Sequence, residues 1–182
     1  MKTKPILFLD IDGVLNSNAW WSNPARPKVK DNIWEPSHID PTAVNLLDTV
    51  LVATGAEVVV SSSWRNSHTV EQIATLLADK GLSCPERLVG KTPDIWTFHP
   101  DIRDKFGETR GVEIAMWLLV NRPDGAVFAI VDDDGDMWEL APRWVWTPHA
   151  EGLTQETADR LAALLSETVP FVFPKVAIPD GP

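Results

Sequence analysis

Apolar residues in this chain come in short unbroken runs, separated by stretches whose apolar positions recur with a helical period. The runs are ILFL (Ile6 to Leu9), EVVVS (Glu57 to Ser61), AVFAIV (Ala126 to Val131) and WVW (Trp144 to Trp146). Unbroken rather than alternating apolarity suits strands buried on both faces, so the runs read as strands of a parallel sheet. A helix opens at Asp40-Pro41, with Asp as N-cap, Pro at the first position, and Val44, Leu47 and Leu51 on one face. A second follows Thr69, with Gln72 as its capping-box partner, carries Val70, Ile73 and Leu77, and ends at Gly81. A third runs from about Thr109 to Val120 with Ile114, Trp117 and Leu118 inward, and a fourth from Thr154 to about Leu165. Strands alternating with helices predict a doubly wound, mainly parallel, Rossmann-like α/β sheet.

Two segments lack a period: Asn16 to His38, rich in Asn, Pro, Trp and Lys, and Lys91 to Gly107. Loops of that length in a compact domain are commonly covers of a site or mobile segments, and the first is expected to act as a short cap. A tail from Pro170, with Pro174, Pro179 and Pro182, suits neither a helix nor a central strand and is expected to be an extended arm or disordered. The expected organisation is one domain over residues 1–169 and a proline-rich tail over 170–182. The length of 182 residues fits one hydrophobic core, and 44% hydrophobic with 23% charged residues excludes wholesale disorder or a fibre. No apolar run is long enough for a membrane helix, and Asp10 interrupts any signal-peptide pattern, so a cytoplasmic protein without membrane contact is expected. The single cysteine, Cys84, excludes an intrachain disulfide framework and a cysteine-based metal cluster, and is expected to be a small buried or loop residue. A net charge of −10 argues against a broadly basic, nonspecific nucleic-acid surface but not against a local positive groove.

Three polar residues fall at the carboxyl ends of predicted strands: Asp10 after ILFL, Ser62 after EVVVS, and Asp132 after AVFAIV. That edge is where open α/β sheets bind ligands. Asp10 and Asp12 share a direction while Ile11 points back to the core, and Gly13 allows a tight exit. Bringing Asp132 to them makes a trianionic pocket that calls for a cation, and oxygen donors without His or Cys select Mg2+.

These residues occur in four ordered motifs: FLDIDGVLN (Phe8 to Asn16), VVVSSSWR (Val58 to Arg65), TRGVEIAMWL (Thr109 to Leu118) and IVDDDGDM (Ile130 to Met137). The set resembles the haloacid dehalogenase (HAD) superfamily of phosphotransferases, and implies a HAD core with minimal cap insertions. SSSWR, LVGKTP (Leu88 to Pro93), the Arg110, Glu113, Ile114, Trp117 and Leu118 pattern, and GLT (Gly152 to Thr154) are similar to the phosphatase-like domain of Swiss army knife RNA-repair proteins. The chain is also similar to the 3′-phosphatase half of polynucleotide kinase-phosphatases, but carries no kinase P-loop.

The resemblance implies a Mg2+-dependent phosphomonoesterase in which Asp10 attacks phosphorus to give an aspartyl-phosphate, and Asp12 acts as general acid and then base. It implies metal ligation by Asp10, by Asp12 through its backbone carbonyl, by Asp132, and by Asp133 either directly or through water. Asp134 and Asp136 are expected to be loop and surface carboxylates. Ser62, with Ser61 as the alternative and Ser63 beside it, would bind phosphoryl oxygens. Arg110 at a helix start would neutralise the transferring group, and Arg where many relatives have Lys keeps its charge and adds a fork of donors. Trp64 and Arg65 are candidate substrate contacts, or else a core Trp and a surface Arg. Trp20, Trp21 and Trp34 could stack on a base or simply pack the loop; Arg26, Lys28 and Lys30 beside Trp20 and Trp21 point to a terminal phosphate of RNA or DNA, the 3′ preference resting on the resemblance. His38, His68, His99 and His149 share no spacing and are expected to be structural or surface residues. The alternatives are a small-molecule or nucleotide phosphatase, and a noncatalytic nucleic-acid- or protein-binding module on the same fold.

Overall fold

The computed structural model describes residues 3–27, 38–95 and 110–173. Lys28, Lys30, Trp34, His99 and Thr109, with parts of the 16–38 and 91–107 segments, lie outside them.

Five strands, β1 (Ile6–Leu9), β2 (Glu57–Val60), β3 (Leu88–Lys91), β4 (Phe128–Asp132) and β5 (Trp144–Trp146), form one all-parallel sheet in the order β3-β2-β1-β4-β5. Every residue of β1 and β4 is buried, which is why their sequences show no alternation. The helices are α1 (Asn18–Trp21), α2 (Pro41–Thr54), α3 (Val70–Ala78), α4 (Arg110–Asn121) and α5 (Gln155–Leu165). Leu7, Leu9, Val58, Val60 and Val131 face α2, α3 and α5, where Leu47, Ile73 and Leu161 complete one core. Ile6, Phe8, Phe128 and Ile130 face the other way, onto Ile114 and Leu118 of α4. The sheet is therefore covered on both faces, as a doubly wound fold requires.

The helix starts follow local chemistry. The Asp40 side chain accepts from Thr42 N–H, with Pro41 at the first position of α2, and Gly55 closes that helix in the left-handed region at φ 70°. Thr69 and Gln72 bond reciprocally at the start of α3, as expected, and Thr154 and Thr157 do the same at α5.

The structure differs from the expectation in six places. α3 stops at Ala78, and Gly81 sits beyond it in the turn at φ 110°. The strand expected from Ala126 begins at Phe128, because Ala126 pairs antiparallel with Phe171 instead. Strand β3 has no counterpart among the apolar runs: Leu-Val-Gly-Lys at the sheet edge has only Leu88 buried, too little for an apolar pattern. The aperiodic 16–38 segment contains the single turn α1, capped by Ser17, and a 3-10 helix spans Trp138–Arg143. The start of the expected tail is docked: Phe171 lies edge-on to Phe128, with ring centroids 5.5 Å apart, and Phe173 packs on Phe171. Among the described residues no helix is long and apolar enough to cross a membrane.

Strand register places the site. Leu9 pairs with Val60 on one side and Val131 on the other, so the residues just past Leu9 and Val60 meet the end of β4 at one edge of the sheet. The ladder continues one step beyond the strands, with Asp10 N–H bonded to the Val131 carbonyl and Ser61 N–H to the Leu9 carbonyl.

Candidate active site

Asp10 and Asp132 are both buried, 4% and 1% exposed, and their main chain is fixed by the Asp10 N–H bond to the Val131 carbonyl and the Thr147 N–H bond to the Asp132 carbonyl. Asp132 Oδ1 accepts from Asp134 N–H at 2.9 Å, which turns the chain sharply after β4. Arg110, the first residue of α4, bridges the two acids: Nη2 lies 3.7 Å from Asp10 Oδ1 and Nε 3.3 Å from Asp132 Oδ2. Its Nη1 donates to the Ser61 carbonyl, tying the end of β2 to the same guanidinium.

Burial governs the electrostatics. It pushes the Asp10 carboxyl up to about 7, with Asp12 adding to the effect and Arg110 and a hydrogen bond from Ser62 opposing it. Burial and the charge of Asp10 push Asp132 up to about 8, against the pull of Arg110. Arg110 is itself desolvated, yet Asp10, Asp132, Glu113 and Asp136 hold its charge more firmly than in water. One guanidinium does not compensate two buried carboxylates, and the folded protein holds protons that water would remove.

Oxygens of Asp10, Asp132 and Asp133 lie within 4.8 Å of one another. Asp132 Oδ2 accepts no hydrogen bond among the described residues. Three hard oxygen donors around an excess of negative charge fit a divalent cation such as Mg2+. The Asp133 carboxylate is braced from outside, with Oδ2 2.5 Å from His149 Nδ1 and the backbone carbonyl accepting from the Trp146 indole at 2.9 Å. Trp144 donates likewise to the Asp132 carbonyl at 3.0 Å. Gly13 lies under this pair at φ 69°, and a Cβ there would occupy the space of Asp133 Oδ2 and His149 Nδ1.

The Asp12 side chain is not part of that cluster. It is gripped by neutral donors: Asn16 Nδ2 to Oδ1 at 2.6 Å, the Trp64 indole N–H to both oxygens at 3.1 Å, and Ser63 Oγ to Oδ2 at 3.4 Å. Asn16 is fixed in turn by the Gly13 N–H, which donates to its Oδ1 at 2.9 Å.

The serines separate by role. Ser62 is fully buried and its hydroxyl reaches Asp10; Ser63 is exposed at the mouth; the Ser61 hydroxyl has no partner among the described residues. Ser62 also opens the 3-10 turn Ser63–Asn66 that carries Trp64 and Arg65.

Several sequence candidates lie elsewhere than expected. Trp64 is buried, at 3%, as the core alternative has it, and its indole donates to Asp12. Arg65 is not a surface residue: it is 7% exposed, pairs with Glu113 at 2.6 Å, and donates to the Ser62 carbonyl at 2.9 Å. The other Glu113 oxygen accepts from Ile95 N–H at 3.0 Å, so the pair links the serine turn, α4 and the segment after β3. Trp20 is 8% exposed and packs the loop, because α1 turns its ring inward, whereas Trp21 is 40% exposed, with the Arg26 guanidinium 4.4 Å over its ring and His38 4.8 Å away. Asp136 is no surface carboxylate: it accepts from Arg110 N–H at 2.7 Å and caps α4, where its negative charge suits the helix start. His149 and Asn16 were not singled out by sequence, and neither has a local signal, because their partners are set by the fold.

An all-parallel sheet with helices on both faces, gathering acidic residues, a strand-end serine and a helix-start arginine at its carboxyl edge, is a HAD-type core, the architecture of phosphatase-type domains. The chain belongs to the family described as the HAD domain in Swiss Army Knife RNA repair proteins, whose model matches residues 6–158 and so takes in all five strands. Neither the curated proteins nor the solved structures contain a match to it.

Proposed function

We propose that this protein is a Mg2+-dependent phosphomonoesterase working through an aspartyl-phosphate, with the terminal phosphate of a nucleic acid, preferentially a 3′ phosphate, as its substrate. The observation that carries the reading is Arg110 set between buried Asp10 and Asp132 at the strand ends. Asp10, Asp132 and Asp133, with the Asp12 carbonyl, would hold the cation, whose charge neutralises phosphoryl oxygens and relieves the repulsion among the acids.

The chain's own residues then divide the chemistry. Asp10 attacks phosphorus in line as the bond to the leaving oxygen breaks, and Asp12 gives that oxygen its proton. Asp12 next takes a proton from water, which attacks the aspartyl-phosphate and releases phosphate and free Asp10. Arg110 binds the phosphoryl oxygens with its fixed fork of donors, and the Ser62 hydroxyl turns from Asp10 to do the same. Exchanging Asp10 for Asn leaves the shape and removes the nucleophile, so turnover should fall by more than ~10³-fold with the fold intact. Activity near the wild-type level in Asp10→Asn would reject the mechanism.

The substrate rests on two supports. The family is described by its occurrence in RNA repair proteins. Exposed Trp21 with Arg26 beside it offers the aromatic face and cation that a nucleic-acid strand uses. Comparing kcat/KM for a 3′-phosphorylated oligonucleotide, its 5′-phosphorylated isomer and a mononucleotide tests the assignment. Equal or better use of the mononucleotide would reject the polymer end and favour a small-molecule phosphatase.

A further inference from the structure

Asp12 is surrounded by donors of different kinds, and the difference bears on which of its oxygens can carry a proton. Oδ1 accepts from the Asn16 amide at 2.6 Å and from the Trp64 indole at 3.1 Å. Neither group can accept a hydrogen bond, since an amide NH2 and an indole N–H only donate. A proton on Oδ1 would confront both. Oδ2 shares the same indole N–H at 3.1 Å and, among the described residues, otherwise meets the Ser63 hydroxyl at 3.4 Å. A hydroxyl rotates, so it can accept from a protonated Oδ2 as readily as it donates to an ionised one. Ser63 is exposed, which puts Oδ2 on the open side of the carboxylate, whereas Asn16 is buried at 3%.

Trp64 makes this asymmetry rigid. Its ring is 3% exposed and stacks against His68, with ring centroids 5.6 Å apart at 27°. It stands at the second position of the turn Ser63–Asn66, which is capped by Ser62, whose carbonyl is held by Arg65. The indole therefore ties the acid of the first strand to the phosphate-binding turn of the second, across 52 residues of sequence. An indole is neutral and only donates, so it orients the carboxylate without placing a charge beside it.

We infer that Trp64 and Asn16 are positioning residues that fix Asp12 so that Oδ2 is the oxygen delivering the proton to the leaving group. This inference rests on the phosphatase reading above and adds the proton-bearing atom and the residues that select it. In the step itself the proton passes from Asp12 Oδ2 to the leaving oxygen while the phosphorus–oxygen bond breaks, leaving Asp12 ionised.

Leaving groups separate this role from a merely structural one. A nitrophenolate departs without help, whereas an alkoxide needs its proton, so a misplaced acid harms alkyl esters selectively. In Trp64→Phe, kcat for an alkyl phosphate such as glycerol phosphate should fall roughly 30-fold or more, part of the 10²- to 10⁴-fold that a general acid contributes. For p-nitrophenyl phosphate the loss should be at least roughly 10-fold smaller, and KM should move little for either ester. Asn16→Ala, which leaves the Trp64 ring in place, should show the same dependence on leaving group and decides the matter if Trp64→Phe fails to fold by circular dichroism. Asp12→Asn is the reference and should show the pattern most strongly. Equal losses on both esters in the folded Trp64 and Asn16 variants, with Asp12→Asn still selective, would overturn this inference and leave the phosphatase reading standing. Full activity in Asp10→Asn would instead remove the reading on which both depend.

Discussion

Replacing Asp132 with Asn should stabilise the metal-free protein at neutral pH and have little effect in acid. Asn has the shape of a protonated aspartate, so it keeps the packing while removing the need to hold a proton. The Asp132 carboxyl is pushed from the usual 3.8 up to about 8, by burial first and then by Asp10. An acid whose folded value is raised supports the folded state below the unfolded value and loses that support as pH climbs toward the folded one. Between pH 4 and pH 8 each pH unit thus costs the wild type about 1.4 kcal/mol for such a group, a ceiling of about 5 kcal/mol by pH 7.5. Asp10 shares Arg110 with it and also gains when the repulsion is removed, so the two contributions are not separable; a net gain of at least about 2 kcal/mol is expected at pH 7.5. For a chain of this length that is roughly 4–8 °C in Tm. The assay is thermal unfolding of wild type and Asp132→Asn in chelator at pH 5 and 7.5. Adding Mg2+ at pH 7.5 should raise the wild-type Tm clearly and that of the variant much less, because a ligand stabilises only the form that binds it. No gain over wild type on passing from pH 5 to pH 7.5, or equal response of both proteins to Mg2+, would refute the reasoning.

His149→Ala should leave the fold intact but raise the Mg2+ concentration needed for half-maximal activity, by roughly 10-fold, because Asp133 loses the group that orients its carboxylate; a magnesium titration checks it, and an unchanged requirement would separate His149 from the cluster. Arg65→Met strands the buried Glu113 charge and should cost about 3–5 kcal/mol in urea unfolding, whereas Arg65→Met with Glu113→Leu should recover at least about half of that. A double variant no more stable than the single would show that the two charges are not coupled. Asp136→Ala should destabilise by about 1 kcal/mol through loss of the α4 cap while leaving the Mg2+ requirement near wild type, in contrast to Asp132→Ala; magnesium titrations of both variants check the contrast.

Much of the fold was legible because its determinants are local. The unbroken apolar runs of β1 and β4 follow from burial on two faces, and the starts of α2 and α3 follow from Asp40-Pro41 and from Thr69 with Gln72. Where local signal fails, a different force decides. β3 is an edge strand held by main-chain pairing to β2, with little apolar content of its own. Ala126 reads as strand by composition, yet Phe171 takes its backbone hydrogen bonds from the far end of the chain. The site divides the same way. Asp10, Ser62 and Asp132 could be placed because each ends an apolar run and parallel strands end together. Arg65 reads as a surface cation until Glu113, 48 residues away, comes to meet it in the core. Periodicity is blind to such partnerships, and so it was to His149.

The aromatic balance of the chain, nine tryptophans and no tyrosine, takes on a chemical sense at this site. Trp64 donates to the Asp12 carboxylate, Trp144 to the Asp132 carbonyl and Trp146 to the Asp133 carbonyl. Each acts on one of the acids or on the backbone that aims it, and each does so without a charge. Lysine or arginine in these places would pair with the carboxylates and compete with a cation for them; tyrosine would add a second acidic hydroxyl that can also accept. Indole can only donate and does not titrate, so it makes the loops rigid and leaves their negative charge uncancelled. Among the described residues, Arg110 brings a full positive charge into contact with Asp10 and Asp132, at the point where a phosphoryl group is expected to sit. A site organised this way sets carboxylates close together in a stiff frame, where a divalent cation would relieve their repulsion.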